Sequence, residues 1–277
     1  MRSKLFVPAS RPELFDKAMN SAADALSFDL EDAVAPSRKD EAREVLSAWL
    51  KAPGRIKNEK KFIVRVNGID TRHFEPDLRA LAGAPVDIVN VPKLESAEDA
   101  CAAADALRAQ GLAEAMLLAN IETPRGLRQA AEIAAHPRVC GLQLGLADLF
   151  EPLGIARYEP ATLRHVMLAL RLAAGESGKY ALDGAYARVA DAQGFRDEAQ
   201  LARSVGLAGK SCIHPSQVAL ANEIFGPTAK EVEQARRIVA ASREHAGVGA
   251  FLMDGKMIDR PFVDRAQAVL RAAGEQA

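Results

Sequence analysis

Ala115-Met-Leu-Leu-Ala-Asn-Ile-Glu122 opens a stretch that runs on to Leu149 and decides the fold. Its apolar run ends on the carboxylate of Glu122. A segment patterned for helix follows over residues 123–135. A second apolar run, Val139-Cys-Gly-Leu-Gln-Leu-Gly145, leads to Asp148. Short apolar runs bounded by turn signals read as buried parallel strands. Two acids therefore stand just past the C-terminal ends of two strands joined by one helix. In an α/β barrel that edge carries the chemistry. Two hard oxygen ligands with no His or Cys cluster beside them suit an octahedral Mg2+. Acids at strand ends can equally cap the next helix or face water, and this stretch alone leaves both open.

Outward from it the same alternation repeats, which argues for parallel βα units. Upstream, strands are expected at 5–7, 25–30, 62–66 and 87–91, with helices over 12–21, 39–51, 74–81 and 96–110. Pro12 suits a first helical turn. Ser96 with Asp99 marks a helix start, and Gly111 a stop. Residues 53–61 form a basic loop. Downstream come a helix over 160–174, a short strand at 180–182, a helix over 195–205, a strand at 210–213 and a last barrel helix over 228–245. The pattern predicts a TIM (β/α)8 barrel over residues 1–245, near the usual length of ~250 for that fold. An open doubly wound sheet would gather its polar residues at one switch point, whereas here they close nearly every strand. No GxGxxG or Walker pattern favours it either. Residues 246–277 change character: a Gly-rich start, a hairpin signal at Asp254-Gly255 and an amphipathic helix over 262–273. This C-terminal hairpin-helix extension can pack on its own barrel or reach a neighbour.

Composition narrows the function. The chain has 277 residues, 49% hydrophobic and 26% charged, with a formal net charge of -1. That is a globular protein with no overall field to draw it to nucleic acid or membrane. Cys101, Cys140 and Cys212 lie far apart, with neither metal spacing nor a disulfide framework. The N-terminus shows no signal-peptide pattern and no run approaches a ~20-residue membrane span, so a cytoplasmic location is expected.

The strand ends together form a polar ring: Asp29, Glu31, Asp32, Arg65, Asn67, Lys93, Glu122, Asp148, Asp183 and His214. If the barrel closes, they converge on one mouth with excess negative charge, which a divalent cation would relieve. Glu122 and Asp148 on adjacent strands are the most economical ligands. Asp29, Glu31 and Asp32 are better placed to hold metal waters or orient Arg65 and Lys93, though helix-start charge is the plainer alternative. Arg65 must meet an anion, either a protein carboxylate or the carboxylate of a substrate. Mg2+ plus Arg suits a 2-oxo acid, with the ion steadying the enolate that C–C cleavage produces. His214 reads as a hydrogen-bonded structural residue and Cys212 as core.

Taken in order, Arg2-Ser-Lys-Leu-Phe-Val-Pro8, Arg11-Pro-Glu13, Phe28-Asp-Leu-Glu-Asp-Ala-Val-Ala-Pro36, Arg65-Val-Asn67, Val91-Pro-Lys93, Glu95-Ser-Ala-Glu-Asp99, Ile121-Glu-Thr-Pro-Arg-Gly126, Leu144-Gly-Leu-Ala-Asp-Leu149, Gly209-Lys-Ser-Cys-Ile-His-Pro215 and Met257-Ile-Asp259 resemble the HpcH/HpaI aldolase–citrate lyase β-subunit family, in its CitE-like branch. The resemblance implies a TIM barrel and a Mg2+-dependent lyase acting on 3-hydroxyacyl-CoA esters of the citryl-, malyl- or citramalyl-CoA type. It implies Glu122 and Asp148 as metal ligands and Arg65 as the clamp on the oxo-acid carboxylate. It also implies a homotrimer or hexamer in which Asp259 reaches a neighbour's site as acid/base. Arg2, Arg11 and Lys93, with Arg38 and Lys39, are the candidate substrate and CoA contacts. Ala9 and Asp183-Gly184 depart from the family pattern, and the acyl group stays open. A CoA-independent aldolase on 4-hydroxy-2-oxo acids, and a citrate lyase β chain working on an acyl carrier protein, are the competing functions.

Overall fold

The computed structural model describes residues 1–53, 59–245 and 247–275. Most of the expected basic loop, residues 54–58, lies outside that set. In chain order the elements are β1 (Ser3–Pro8), α1 (Phe15–Met19), β2 (Ala25–Asp29), α2 (Lys39–Leu50), β3 (Lys61–Arg65), α3 (Phe74–Leu81), β4 (Ile88–Val91) and α4 (Ala97–Ala109). There follow β5 (Met116–Ile121), α5 (Pro124–Arg128), α6 (Ala130–Ala135), β6 (Val139–Leu144), α7 (Leu146–Phe150), α8 (Pro160–Glu176), β7 (Tyr180–Leu182), α9 (Ala192–Ser204), β8 (Lys210–Cys212) and α10 (Pro215–Phe225). The chain ends with α11 (Ala229–Glu244), β9 (Ala250–Met253), β10 (Lys256–Asp259) and α12 (Arg260–Ala272).

Strands β1 to β7 lie side by side in chain order and β8 pairs with β1, all parallel. The ring is completed by a bridge between Asp183 and Lys210, flanked by Ala208 N to Ala181 O at 2.8 Å and Asp183 N to Gly209 O at 2.9 Å. The expected barrel is therefore what forms, and no strand-order reversal exists among the described residues to make a switch point. Outward-facing Phe28 and Phe62 pack with Phe15 and Trp49 in edge and tilted contacts at 5.1–6.0 Å. Each of the three fully buried Phe rings contributes on the order of 1.5–3 kcal/mol.

Inside the barrel, the layer nearest the N-terminal ends of the strands is apolar: Ala25, Ile63, Ile88, Leu118 and Leu182. Above it the interior turns polar, with Lys4, Asn90, Asn120, Gln143 and Ser211 all buried. Barrel interiors are ordinarily filled by branched apolar side chains, so this polar layer needs a reason.

Local differences from the sequence reading have simple causes. The helix expected over 123–135 is two, because Gln129 leaves helical geometry between α5 and α6. Helix α10 is not evident from the sequence; its residues, Pro-Ser-Gln-Val-Ala-Leu-Ala-Asn-Glu-Ile-Phe, are apolar on most sides and hide the helical period. By compactness the chain divides into Met1–Ile224 and Phe225–Ala277. Helix α11, which the sequence pattern makes the last barrel helix, thus groups with the tail. In that second unit, Ala235 and Val239 of α11 pack on Ala266 and Leu270 of α12. Arg236 pairs with Glu275 at 2.6 Å, and Arg237 with Asp254 at 2.7 Å.

Candidate active site

The C-terminal ends of β1, β2, β3, β5, β6 and β8, with Ala185 after β7, surround a cavity of about 430 Å3 whose lining includes Asp29, Arg65, Asn120, Glu122, Gln143 and Asp148. Asp29 ends β2 and sits beside Arg65 in register. The pair is bidentate, Arg65 Nε to Asp29 Oδ1 at 2.8 Å and Nη2 to Oδ2 at 2.7 Å. Asp29 also accepts the backbone N–H groups of Glu31 and Ala33, at 3.0 and 3.1 Å. It thereby ties the guanidinium to the loop after β2. Burial pushes the Asp29 carboxyl up, but Arg65 and those two donors outweigh it and hold it below the usual range. The third nitrogen of Arg65, Nη1, faces Glu31 at 2.9 Å and Asp32 at 3.3 Å.

Glu122 stands one residue past β5 and is 2% exposed. Its Oε1 accepts the backbone N–H of Lys93 at 2.9 Å, and its Oε2 accepts from the side-chain amide of Asn120. Lys93 presents that N–H from a left-handed backbone, φ 54°. A non-glycine residue there stores about 1–3 kcal/mol, a cost met most often at functional sites. Asp148, in the first turn of α7, faces Lys93 Nζ at 3.6 Å and is half exposed. Gly145 makes the approach possible: a Cβ there would overlap the Glu122 carboxylate.

Charge is out of balance. Asp29, Glu31, Asp32, Glu122 and Asp148 meet Arg65 and Lys93, and Asp29 already consumes most of Arg65. Burial, then Glu31 and Asp148, push Glu122 up to about 8. Burial against the partial relief of Arg65 pushes Glu31 up to about 7. Paired acids forced upward in a cavity are what a divalent cation neutralises. Among the described residues no three His, Cys, Asp or Glu side chains converge as a ready-made cage. Two carboxylates with room for water and substrate oxygens is the pattern of Mg2+ rather than of zinc. The donor set fits the ion.

The structure places the other sequence candidates unevenly. Arg11 lies on the mouth side of β1, paired with Glu13; Arg38 pairs with Glu41 at 2.9 Å nearby. Arg2 does not reach the mouth: it precedes β1, at the opposite end of the barrel, and its guanidinium binds Asp24 at 2.8 and 3.0 Å. Lys39 is buried, donating to the carbonyls of Leu30 and Glu31 at 2.8 and 2.9 Å, so it holds the loop after β2 and is not free for a ligand. Asn67 likewise bonds Asp77 at 2.6 Å and Leu30 O at 3.0 Å. Asp183 points away from the mouth into a buried knot in which Lys210 also meets Glu198 at 2.8 Å, and Glu198 meets Arg157 at 2.8 Å. His214 is exposed and bonds Ser216 Oγ, two residues on, at 2.8 Å. Asp259 stands at the start of α12, with Oδ1 shielded and without a hydrogen-bond partner among the described residues.

Sequence reasoning missed the residues beneath the mouth. Lys4 Nζ, fully buried, lies 4.2 Å from the Phe6 ring centroid and donates to Asn90 Oδ1 at 3.1 Å. Burial, and then Arg65, hold its amine well below the ordinary lysine range despite Asp29 and Glu122. Asn120 and Gln143 line the cavity itself. The available signal was an amide inside each apolar run of the opening stretch.

A closed parallel barrel with an acidic, cation-seeking mouth around a clamped guanidinium is the architecture of a metal-dependent barrel enzyme acting on an anionic substrate. The family model described as HpcH/HpaI aldolase/citrate lyase matches residues 2–215, and the chain belongs to that family. It is 38% identical over 276 residues to a (3S)-malyl-CoA thioesterase of Cereibacter sphaeroides, covering 98% of this chain and 94% of that protein. It is 38% identical over 282 residues to the citrate lyase subunit beta of Haemophilus influenzae, covering 98% and 96%. Among solved structures it resembles the CitE protein of Mycobacterium tuberculosis in complex with magnesium, acetoacetate and coenzyme A. That likeness has a TM-score of 0.80 and 37% identity, over 99% of this chain and 100% of that one.

Proposed function

We propose that the protein is a Mg2+-dependent carbon–carbon lyase that cleaves or forms a 3-hydroxyacyl-CoA ester of a di- or tricarboxylic acid. The observation that carries this is the mouth itself: Glu122, raised by burial beside Glu31 and Asp148, next to a guanidinium fixed by Asp29. The Mycobacterium tuberculosis CitE protein, similar over its whole length, binds magnesium, acetoacetate and coenzyme A together. That favours a CoA ester over a free 4-hydroxy-2-oxo acid.

Glu122 and Asp148 would hold the ion. Mg2+, when bound, supplies positive charge that orients the carboxylate and carbonyl oxygens of the oxo-acid half and offsets negative charge developing as the C–C bond breaks. Arg65 binds the same half: Asp29 fixes the plane of its guanidinium, and a substrate carboxylate would take the Nη1 edge in competition with Glu31 and Asp32. Lys93, from the end of the adjacent strand β4, adds positive charge beside Asp148. Arg11 and Arg38, on the mouth side, are the cations offered to the phosphates of CoA. The carbonyl-methylene half needs a proton, and Asp259 of a neighbouring subunit is assigned to carry it within a homotrimer or hexamer. The proposed location is cytoplasmic; no helix among the described residues is long and apolar enough to cross a membrane.

Two measurements test this. Calorimetric titration with CoA, in Mg2+ with oxaloacetate or glyoxylate, gives clear binding for a CoA-ester lyase and none for a CoA-independent aldolase. Mixing inactive Glu122→Ala with inactive Asp259→Ala protein restores activity if Asp259 serves a neighbour, and restores nothing if each chain is self-sufficient.

A further inference from the structure

Two hydrogen-bonded chains cross the polar layer inside the barrel, and both end on β5, the strand that leads into Glu122. One runs from Lys4 Nζ to Asn90 Oδ1 at 3.1 Å and from Asn90 Nδ2 to Leu118 O at 3.0 Å. The other runs from Ser211 Oγ on β8 to Gln143 Oε1 on β6 at 3.3 Å, then from Gln143 Nε2 to Asn120 Oδ1 on β5 at 2.7 Å. It ends with Asn120 Nδ2 on Glu122 Oε2. We propose that Ser211, Gln143 and Asn120 are positioning residues that hold the Glu122 carboxylate in the orientation a metal ion requires. This rests on the assignment of Glu122 as a metal ligand.

Direction along the chain is what gives it this role. A side-chain amide has one accepting end and one donating end. Ser211 can give its hydroxyl proton to Gln143 Oε1, which leaves the Gln143 NH2 for Asn120 Oδ1. Asn120 is then obliged to turn its own NH2 toward Glu122. Each Glu122 oxygen receives one protein donor, Lys93 N on Oε1 and Asn120 Nδ2 on Oε2. The remaining lone pairs are left for the mouth. Without Gln143 nothing specifies which way Asn120 faces. Turned over, its Oδ1 would oppose the carboxylate and drive Glu122 off its position. Partners that orient a metal-ligating side chain in this manner change metal affinity by roughly 10–100-fold. All three residues are buried, at 0–3% exposure, and their side-chain hydrogen bonds run chiefly to one another and to Glu122. The polar layer in an otherwise apolar barrel thereby has a purpose.

The test is the Mg2+ dissociation constant of the full-length protein, measured by calorimetry with the metal alone at one pH. Gln143→Met keeps the length and volume but cannot hydrogen-bond. It is expected to weaken Mg2+ about tenfold, with the metal-free protein still folding cooperatively at a lowered unfolding midpoint, because Ser211 and Asn120 each lose a partner. Asn120→Leu is expected to lose at least as much, and the double variant to match Asn120→Leu alone, because Gln143 acts through Asn120. Ser211→Ala gives a smaller loss in the same direction, and Ser211→Thr, which keeps the hydroxyl, binds as wild type. Wild-type affinity in Gln143→Met, or losses that multiply in the double variant, overturns the proposal. Glu122→Ala separates the two levels. If it binds Mg2+ as wild type, the metal assignment falls and this proposal with it. If it loses Mg2+ while Gln143→Met does not, only the relay falls.

Discussion

Glu122→Gln should stabilise the metal-free protein at alkaline pH, and the size of the effect follows from the site. Burial, Glu31 and Asp148 raise the Glu122 carboxyl from an ordinary 4.5 to about 8. Below 4.5 the folded and unfolded chains both carry the proton, so the group contributes nothing to the pH dependence. Between 4.5 and about 8 only the folded chain keeps it, and stability falls as pH rises. Above about 8 the penalty is complete. At ~1.36 kcal/mol per pH unit, the interval from 4.5 to about 8 amounts to ~5 kcal/mol. Glu31, raised to about 7, acts with the same sign, so the Glu122 share is read as the difference between wild type and variant. The amide of the variant has one acceptor for the two donors, Lys93 N and Asn120 Nδ2, and the lost hydrogen bond reduces the gain by about 1 kcal/mol. The assay is urea unfolding of EDTA-treated protein from about pH 5 to about pH 9, a range that spans the Glu122 transition. Wild type is expected to lose several kcal/mol relative to the variant across that range. Saturating Mg2+ should remove most of the loss in wild type and do nothing for Glu122→Gln. Parallel stability curves for the two proteins without metal would refute the electrostatic account of the mouth.

Other consequences are as direct. Gly145→Ala puts a methyl group against the Glu122 carboxylate; Mg2+ binding is expected to weaken by about ten-fold or more, measured by calorimetry, with little change in circular dichroism. Lys210→Met leaves Asp183 and Glu198 facing each other where Lys210 and Asp183 are 0% exposed. Removing one member of a buried ionic knot costs about 3–5 kcal/mol, visible as a lowered urea midpoint. Arg65→Lys keeps the charge but loses the fork on Asp29. KM for the oxo-acid half should rise by about ten-fold or more, the loss of about 1.5–3 kcal/mol expected for a charged hydrogen bond, as measured by initial rates at varied oxaloacetate or glyoxylate.

The barrel was legible because its strands are short, apolar and punctuated by polar ends, and because their order never reverses. Glu122, Asp148, Arg65 and Asp29 were legible as a group for the same reason: each stands at a strand's C-terminal end or in the turn just past it, and the fold brings those ends together. Which way a strand-end side chain points was not legible. Asp183 also ends a strand, but its side chain faces the helices, where Lys210 and Glu198 wait. Arg2 precedes its strand, so it belongs to the far end of the barrel. Lys39 reads as an exposed helix-start cation until the loop carbonyls of Leu30 and Glu31 curl onto it. Asn120 and Gln143 hid within apolar runs, where their hydrogen-bond partners on β5, β6 and β8 are unknowable before the barrel closes.

The most direct measurement is cleavage of a panel of citryl-, malyl- and citramalyl-CoA esters by EDTA-treated protein, titrated back with Mg2+. Expected are no turnover without metal, turnover of at least one ester as Mg2+ is restored, and loss of that turnover in both Glu122→Ala and Asp148→Ala. Full activity in EDTA, or in either variant, would contradict a metal-dependent lyase built on these two carboxylates.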